Sequence, residues 1–228
     1  MRASSIQSPL LAAALAMTAW VAVTLAEESV DSALSPPAAP ELRVPATTAR
    51  PHSGAYDPHA RLDPETHIRI ALRHQAEGRP QEALTVLSRA IAGHGDDARL
   101  YAVRGSLLLE AGRIDQALAD LDRALEIAPD LLAARFNRGA MRYGTGDYQG
   151  ALEDFDRCVA LDPHLPGPYF NRASVKDALG DPAAAIADLD RFLKISRNET
   201  WNQQARQLRQ ALENPDSIPA TPEPKPHR

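Results

Sequence analysis

Glycine recurs at a fixed interval of 34 residues through the middle of this 228-residue chain, at Gly78, Gly112, Gly146 and Gly180. Alanine keeps the same interval five residues further on, at Ala83, Ala117, Ala151 and Ala185. With glycine at about one residue in twenty, three further coincidences have odds of roughly 10⁻⁴. A fixed period of this size restricts the fold to an array of small units, each packed only on its neighbours. The restriction bears on function as well. Stacked units of this kind present a long groove to another chain rather than a pocket for chemistry.

Set in register as 64–97, 98–131, 132–165 and 166–199, the four segments agree at further positions. The eighth position holds a small residue (Ala71, Gly105, Gly139, Ala173) and the twenty-fourth a bulky apolar one (Leu87, Leu121, Phe155, Leu189). The twenty-sixth is arginine in all four, Arg89, Arg123, Arg157 and Arg191. The twenty-eighth is Ile91, Leu125, Val159 and Leu193. This is a true repeat.

Within a segment the apolar residues recur at steps of three and four, as Ala117, Leu118, Leu121, Ala124 and Leu125 do. That spacing is one stripe of a helix, and each segment reads as two helices. Small residues at the eighth and twentieth positions let the two approach closely. A large side chain there would overpack the contact at a cost of about 1–3 kcal/mol. The periodic glycine ends the first helix, where glycine adopts a left-handed conformation at least cost. Pro80 and Pro182 open second helices, where a missing N–H is tolerated, and Pro129 and Pro163 stop them.

These positions resemble the tetratricopeptide repeat. The second segment supplies Tyr101, Arg104-Gly105, Ala117, Leu121 and Pro129 at the signature places. The third supplies Arg138-Gly139, Gly146-Asp147-Tyr148, Ala151, Phe155 and Pro163. Asn137-Arg138-Gly139 and Asn171-Arg172-Ala173 further resemble an Asn-Arg-Gly subclass common in bacteria. The outer segments fit less closely, with Gly95 and Arg197 where proline is usual and Pro80 and Pro182 where an aromatic is usual. Terminal repeats cap a stack and are expected to be atypical. The resemblance covers residues 64–213 and implies an all-α fold, a right-handed α-solenoid of four helix pairs. A capping helix is expected over 200–213, its apolar stripe formed by Trp201, Ala205, Leu208 and Leu212.

One pattern is particular to this chain. The seventh position holds Arg104, Arg138 and Arg172, and the twenty-third Asp120, Asp154 and Asp188; the first segment breaks both at once with Ile70 and Val86. Joint loss of both partners predicts an Arg–Asp pair that links the two helices, because a buried charge left alone is costly. The arginines at the twenty-sixth position are expected on the outer, solvated face.

The resemblance also implies where a partner would bind, since first helices line the concave face in this family. Carried over position by position, that surface includes Arg69, Leu72 and Gln75, then Arg99, Ala102, Val103, Ser106 and Glu110. It continues with Phe136, Asn137, Ala140 and Tyr143, and then Phe170, Asn171, Ser174 and Asp177. Asparagine carries donors and an acceptor suited to the backbone of an extended peptide, and phenylalanine supplies apolar anchoring area. The alternative is that the asparagines cap turns and the phenylalanines are core. The carboxylate clamp of some family members is not expected here. Asn137 and Asn171 occupy two of its places, but Ala102 and Gly167 stand where it needs lysine and Ser106 where it needs asparagine.

Residues 10–26 form an uncharged apolar run after Arg2, and Glu27 and Glu28 follow at once. A positive flank before the run and acids behind it direct the rest of the chain out of the cytoplasm. Thr24-Leu25-Ala26 fits a cleavage site, and the run is long for a signal core yet short for a spanning helix. Residues 1–26 therefore read as a cleaved signal peptide or, alternatively, an uncleaved N-terminal membrane anchor. The first makes the repeats periplasmic or secreted; the second anchors them in the inner membrane facing the periplasm. Residues 27–62, rich in proline and alanine, read as a disordered linker, and 214–228 as a disordered proline-rich tail.

A net charge of −5 and a pI near 5.8 argue against a nucleic-acid partner, which would need a basic stripe. Cys158, the single cysteine, falls at the twenty-seventh position, where Ala90 and Ala124 also stand, and is expected in the core. The seven histidines show no zinc-binding spacing, and no nucleophile triad or phosphate loop is present. Neither catalysis nor a cofactor nor a metal is expected. Two readings follow: an extracytoplasmic adaptor that holds a peptide or envelope protein in its groove, or a structural subunit of a membrane-associated complex that uses its convex face and ends.

Overall fold

The computed structural model describes residues 62–214, and the expectations for 1–26, for nearly all of the 27–62 linker and for the tail beyond 214 lie outside these residues. The described residues form helices in pairs: α1 (Pro64–Ala76) with α2 (Pro80–Gly93), and α3 (Ala98–Glu110) with α4 (Ile114–Ile127). Then come α5 (Leu132–Thr145) with α6 (Tyr148–Leu161), α7 (Pro166–Ala178) with α8 (Pro182–Ile195), and a closing α9 (Glu199–Glu213). No strand occurs among the described residues, and the fold is an all-α solenoid of helix pairs. No helix among them is long and apolar enough to cross a membrane.

The helix boundaries follow from local chemistry. Gly78, Gly112, Gly146 and Gly180 all adopt positive φ, between 71° and 87°, the conformation that L side chains resist. The residue after the glycine then closes the turn, donating from Arg79, Arg113 and Asp181 N–H to the carbonyls of His74, Leu108 and Lys176. Pro80 and Pro182 are the first residues of α2 and α8. Asp63, Asp97, Asp147, Asp181 and Asn198 each accept a backbone N–H of the first turn that follows. Asn198, which also begins a glycosylation-like triplet, thus spends its side chain as a cap, accepting from Trp201 N–H at 3.1 Å.

The contacts divide the described chain into two compact units, residues 62–134 and 135–214. In the N-terminal unit α1 packs on α2, α2 on α3 and α3 on α4. Ala71, Ala83, Leu87, Leu100, Ala117 and Leu121 are fully buried there. A Cβ on Gly105 would lie 3.0 Å from Leu121 Cγ, so the small residue sets how closely α3 meets α4. In the C-terminal unit α6 packs on α7, α7 on α8 and α8 on α9. Gly139 has the same task in α5, since its Cβ would lie 3.0 Å from the Phe155 ring of α6. The core of the last pair joins Tyr169, Phe170, Ala173, Ala185, Leu189 and Phe192 to Ala205 and Leu208 of α9, with Trp201 and Leu212 packed at its edge.

Candidate functional site

Three buried carboxylates hold the helix pairs together, each gripped by the arginine that the repeat places opposite it. Arg104 donates from Nε and Nη2 to Asp120 at 2.7 Å each. Arg138 donates to Asp154 at 2.9 and 2.7 Å, and Arg172 to Asp188 at 2.8 and 2.6 Å. These bidentate pairs are the strong geometry for a guanidinium and a carboxylate. A third contact reaches back to the preceding second helix, from Arg104 Nη1 to Ser88 Oγ at 3.1 Å and from Arg172 Nη1 to Asp156 at 2.8 Å. The interhelical pairs are therefore as the spacing predicts.

Two further cations on the same carboxylates were not foreseen. Arg142 donates to Asp154 at 2.9 Å and Lys176 to Asp188 at 2.7 Å, each four residues after the clamp arginine and so one turn along the same helix. Arg135 adds a longer contact to Asp154, at 3.4 Å. The signal was a cation at the eleventh position, present only in the last two segments, where His74 and Leu108 stand in the first two. Of the arginines at the twenty-sixth position, Arg89, Arg123 and Arg157 are exposed. Arg191 departs from that expectation. It is half-buried against the Tyr169 ring, 5.9 Å from its centroid, and donates to the Pro163 carbonyl at 3.3 Å.

On the first helices of the N-terminal unit the polar candidates mostly bind neighbouring side chains, although Gln75 Oε1 is buried without a partner. Arg69 is exposed and donates to Thr66 Oγ1 at 3.4 Å. Arg99 bridges Asp97 at 2.7 Å and Glu65 at 3.0 Å, with half of its side chain in solvent. Ser106 is buried. Gln75 of α1 donates to the Glu110 carboxylate of α3. Glu110 keeps an exposed edge, yet the protein around it is dense enough to push its carboxyl above the ordinary range.

The C-terminal unit differs. Phe136 and Phe170 are 0% and 1% exposed. Their rings meet Phe155 and Phe192 edge-on at 5.7 and 5.4 Å, and Phe170 also meets Trp201 at 5.6 Å. The structure thus places both phenylalanines in the core, the second of the two readings left open by the sequence. Neither Asn137 nor Asn171 caps a turn. Both lie inside helices, α5 and α7, and are 3% and 2% exposed. Oδ1 of Asn137, and both Oδ1 and Nδ2 of Asn171, are buried without a hydrogen-bond partner.

An unmet buried amide group costs about 1–3 kcal/mol, and such groups at a helix face are a standing demand for a hydrogen-bonding ligand. One turn on, Ser174 turns its hydroxyl back to the Phe170 carbonyl at 3.3 Å. Tyr143 of α5 leans on Tyr148 at 5.7 Å. Burial, with Tyr148 and Asp177 nearby, pushes its phenol upward. Burial also raises the carboxyl of Asp177. Cys158, fully buried, has its thiol pushed up to about 12 by loss of solvent, so it stays protonated and inert. Among the described residues no group of three His, Cys, Asp or Glu is placed to hold a metal ion.

A profile of the tetratricopeptide repeat matches residues 68–131 and again 107–166, and a second profile of the same repeat matches 167–199. Together they span more than half of the chain. It belongs to the tetratricopeptide-repeat family. Members of this family are generally protein-interaction modules, and the likeness supports that coarse function here. Solved structures share the fold at low identity. A crystal structure of MamA protein aligns over 67% of this tetratricopeptide-repeat chain and 81% of its own, at 15% identity and a TM-score of 0.59. MamA 41-end from Desulfovibrio magneticus RS-1 aligns over 72% and 99%, at 17% identity and a TM-score of 0.55. TTC0263, a thermophilic TPR protein of Thermus thermophilus, aligns over 67% and 82%, at 19% identity and a TM-score of 0.54. No curated protein matches the chain.

Proposed function

We propose that this tetratricopeptide-repeat chain is an extracytoplasmic adaptor that holds an extended peptide or an envelope protein on its first helices. The observation that carries the reading is the pair of buried asparagines on α5 and α7, with Oδ1 of Asn137 and both Oδ1 and Nδ2 of Asn171 lacking partners. A peptide backbone has one donor and one acceptor per residue, which is what a side-chain amide pairs with. The N-terminal run 10–26, bounded by Arg2 and by Glu27 and Glu28, supports export, and Asn137-Arg138-Gly139 with the similar Asn171-Arg172-Ala173 supports a bacterial subclass. With net charge −5 and no basic stripe, nucleic acid is not proposed as a partner, and the membrane enters only through an uncleaved N-terminal anchor.

Double substitution Asn137→Ala and Asn171→Ala tests the site. Random dodecapeptides panned on the full-length chain should be enriched, and the double variant should lose that enrichment while its thermal unfolding is unchanged or raised. Enrichment equal to that of the natural chain would sink the asparagine face. Alkaline phosphatase, which folds only outside the cytoplasm, tests location when fused after residue 62: an inactive fusion overturns export.

A further inference from the structure

The α7 face that carries Asn171 and Ser174 ends in an acid with no cation to answer it. Arg172 and Lys176, the two cations of α7, are both committed to Asp188, on the side where α7 meets α8. Arg142 of α5 is likewise committed, to Asp154 at 2.9 Å and to Asp147 at 3.6 Å. The Asp177 carboxylate has no ion pair or hydrogen bond among the described residues, and loss of solvent raises it with no cation opposing the shift. The charge of Asp177 adds to the upward shift of the Tyr143 phenol on α5, after burial and Tyr148. Six residues before Asp177 on the same helix, Asn171 buries an unpartnered donor and an unpartnered acceptor.

We propose, building on the peptide-binding reading above, that this face takes a peptide segment bearing a lysine or arginine. Asn171 pairs with its backbone and Asp177 with its cationic head. Six helical residues separate the two, about 9 Å along the axis, a span that two or three residues of extended chain or one long cationic side chain covers. Charge complementarity selects the sign: an acidic segment would set like charge against Asp177 in a half-buried place, where repulsion is poorly screened. The general acidity of the chain, −5 overall, attracts cations without any such site, so the test must separate the two.

Random dodecapeptides panned on the full-length natural chain should return a pool with Lys or Arg enriched at one register. The same library on Asp177→Lys should lose that preference or shift it to Asp and Glu. Panning on Glu153→Lys, an exposed site on α6 with the same change of charge, should retain it. Should circular dichroism show Asp177→Lys unfolded, Asp177→Asn replaces it, and cation enrichment should fall about fivefold, the size of a favourable partly exposed ion pair. Cation preference equal in the Asp177 variants and the natural chain overturns the proposal in favour of general attraction. Enriched peptides without a preferred cation overturn it while leaving the peptide site standing. No enrichment by the natural chain brings down both.

Discussion

Asp188 is nearly inaccessible to solvent, yet it receives Nε and Nη2 of Arg172 and the ammonium of Lys176, so its charge is satisfied several times over. Removing one partner of such a buried pair leaves the other charge stranded. Asp188→Ala should cost about 3–5 kcal/mol in urea unfolding, whereas replacing Arg172, Lys176 and Asp188 together by Met, Met and Leu should recover most of that loss. Two glycines two residues apart should respond in opposite directions. Gly144 lies in α5 with open space around its Cα, so Gly144→Ala should stabilise by about 0.5–1 kcal/mol. Gly146 sits at φ 87°, and Gly146→Ala should destabilise by about 1–2 kcal/mol.

Asp177 gives a pH-dependent case. Its carboxyl is raised on folding, so it favours the fold below its ordinary value of 3.8 and opposes it once ionised above the raised value. Asp177→Asn should therefore raise the melting temperature slightly at pH 7 and leave it unchanged near pH 3; a difference that grows on acidification would contradict the assignment.

At the scale of the element, α9 is amphipathic in the manner expected of a terminal helix. Ala205 and Leu208 enter the core of the last pair, while Arg206 and Arg209 lie outside and bind Glu199 and Asp190. Arg209 Nε reaches Asp190 of α8 at 2.7 Å. Asp190 occupies the same place in its segment as Ser88 and Asp156, the residues that Arg104 and Arg172 reach back to. The closing helix thus repeats with Arg209 the backward contact that joins one pair to the next. Truncation before Asn198 would bare Phe170, Phe192 and Leu189. With roughly 100–200 Å² of apolar surface newly in water, the loss is about 3–5 kcal/mol by transfer, read as a lower melting temperature. Unaltered melting would show that α9 does not cover the pair.

At the scale of the whole molecule, stability in a repeat array is a sum of units and of the contacts between neighbours. The first pair is the one without an Arg–Asp clamp, having Ile70 and Val86 in the two places. Amide hydrogens of α1 and α2 should therefore exchange faster than those of α3 and α4; slower exchange would show that apolar packing of Val86 compensates for the missing ion pair.

The periodic glycines, the prolines at 80 and 182, and the Arg104–Asp120 spacing were legible because each is a local rule or a fixed interval. A left-handed turn needs glycine wherever it occurs, and a lone buried charge is selected against in any repeat. By itself, then, the sequence determined the helix pairs, their ends and the ion pairs that tie them. Only the tertiary structure decided what each first-helix residue faces. It turned Phe136 and Phe170 inward onto Phe155, Phe192 and Trp201, drew Arg142 and Lys176 onto carboxylates already paired, and left the side-chain amide of Asn171 without a partner among the described residues. The reason is physical: helical periodicity fixes the direction of a side chain about its own axis, but burial and pairing depend on which atoms of another helix arrive there.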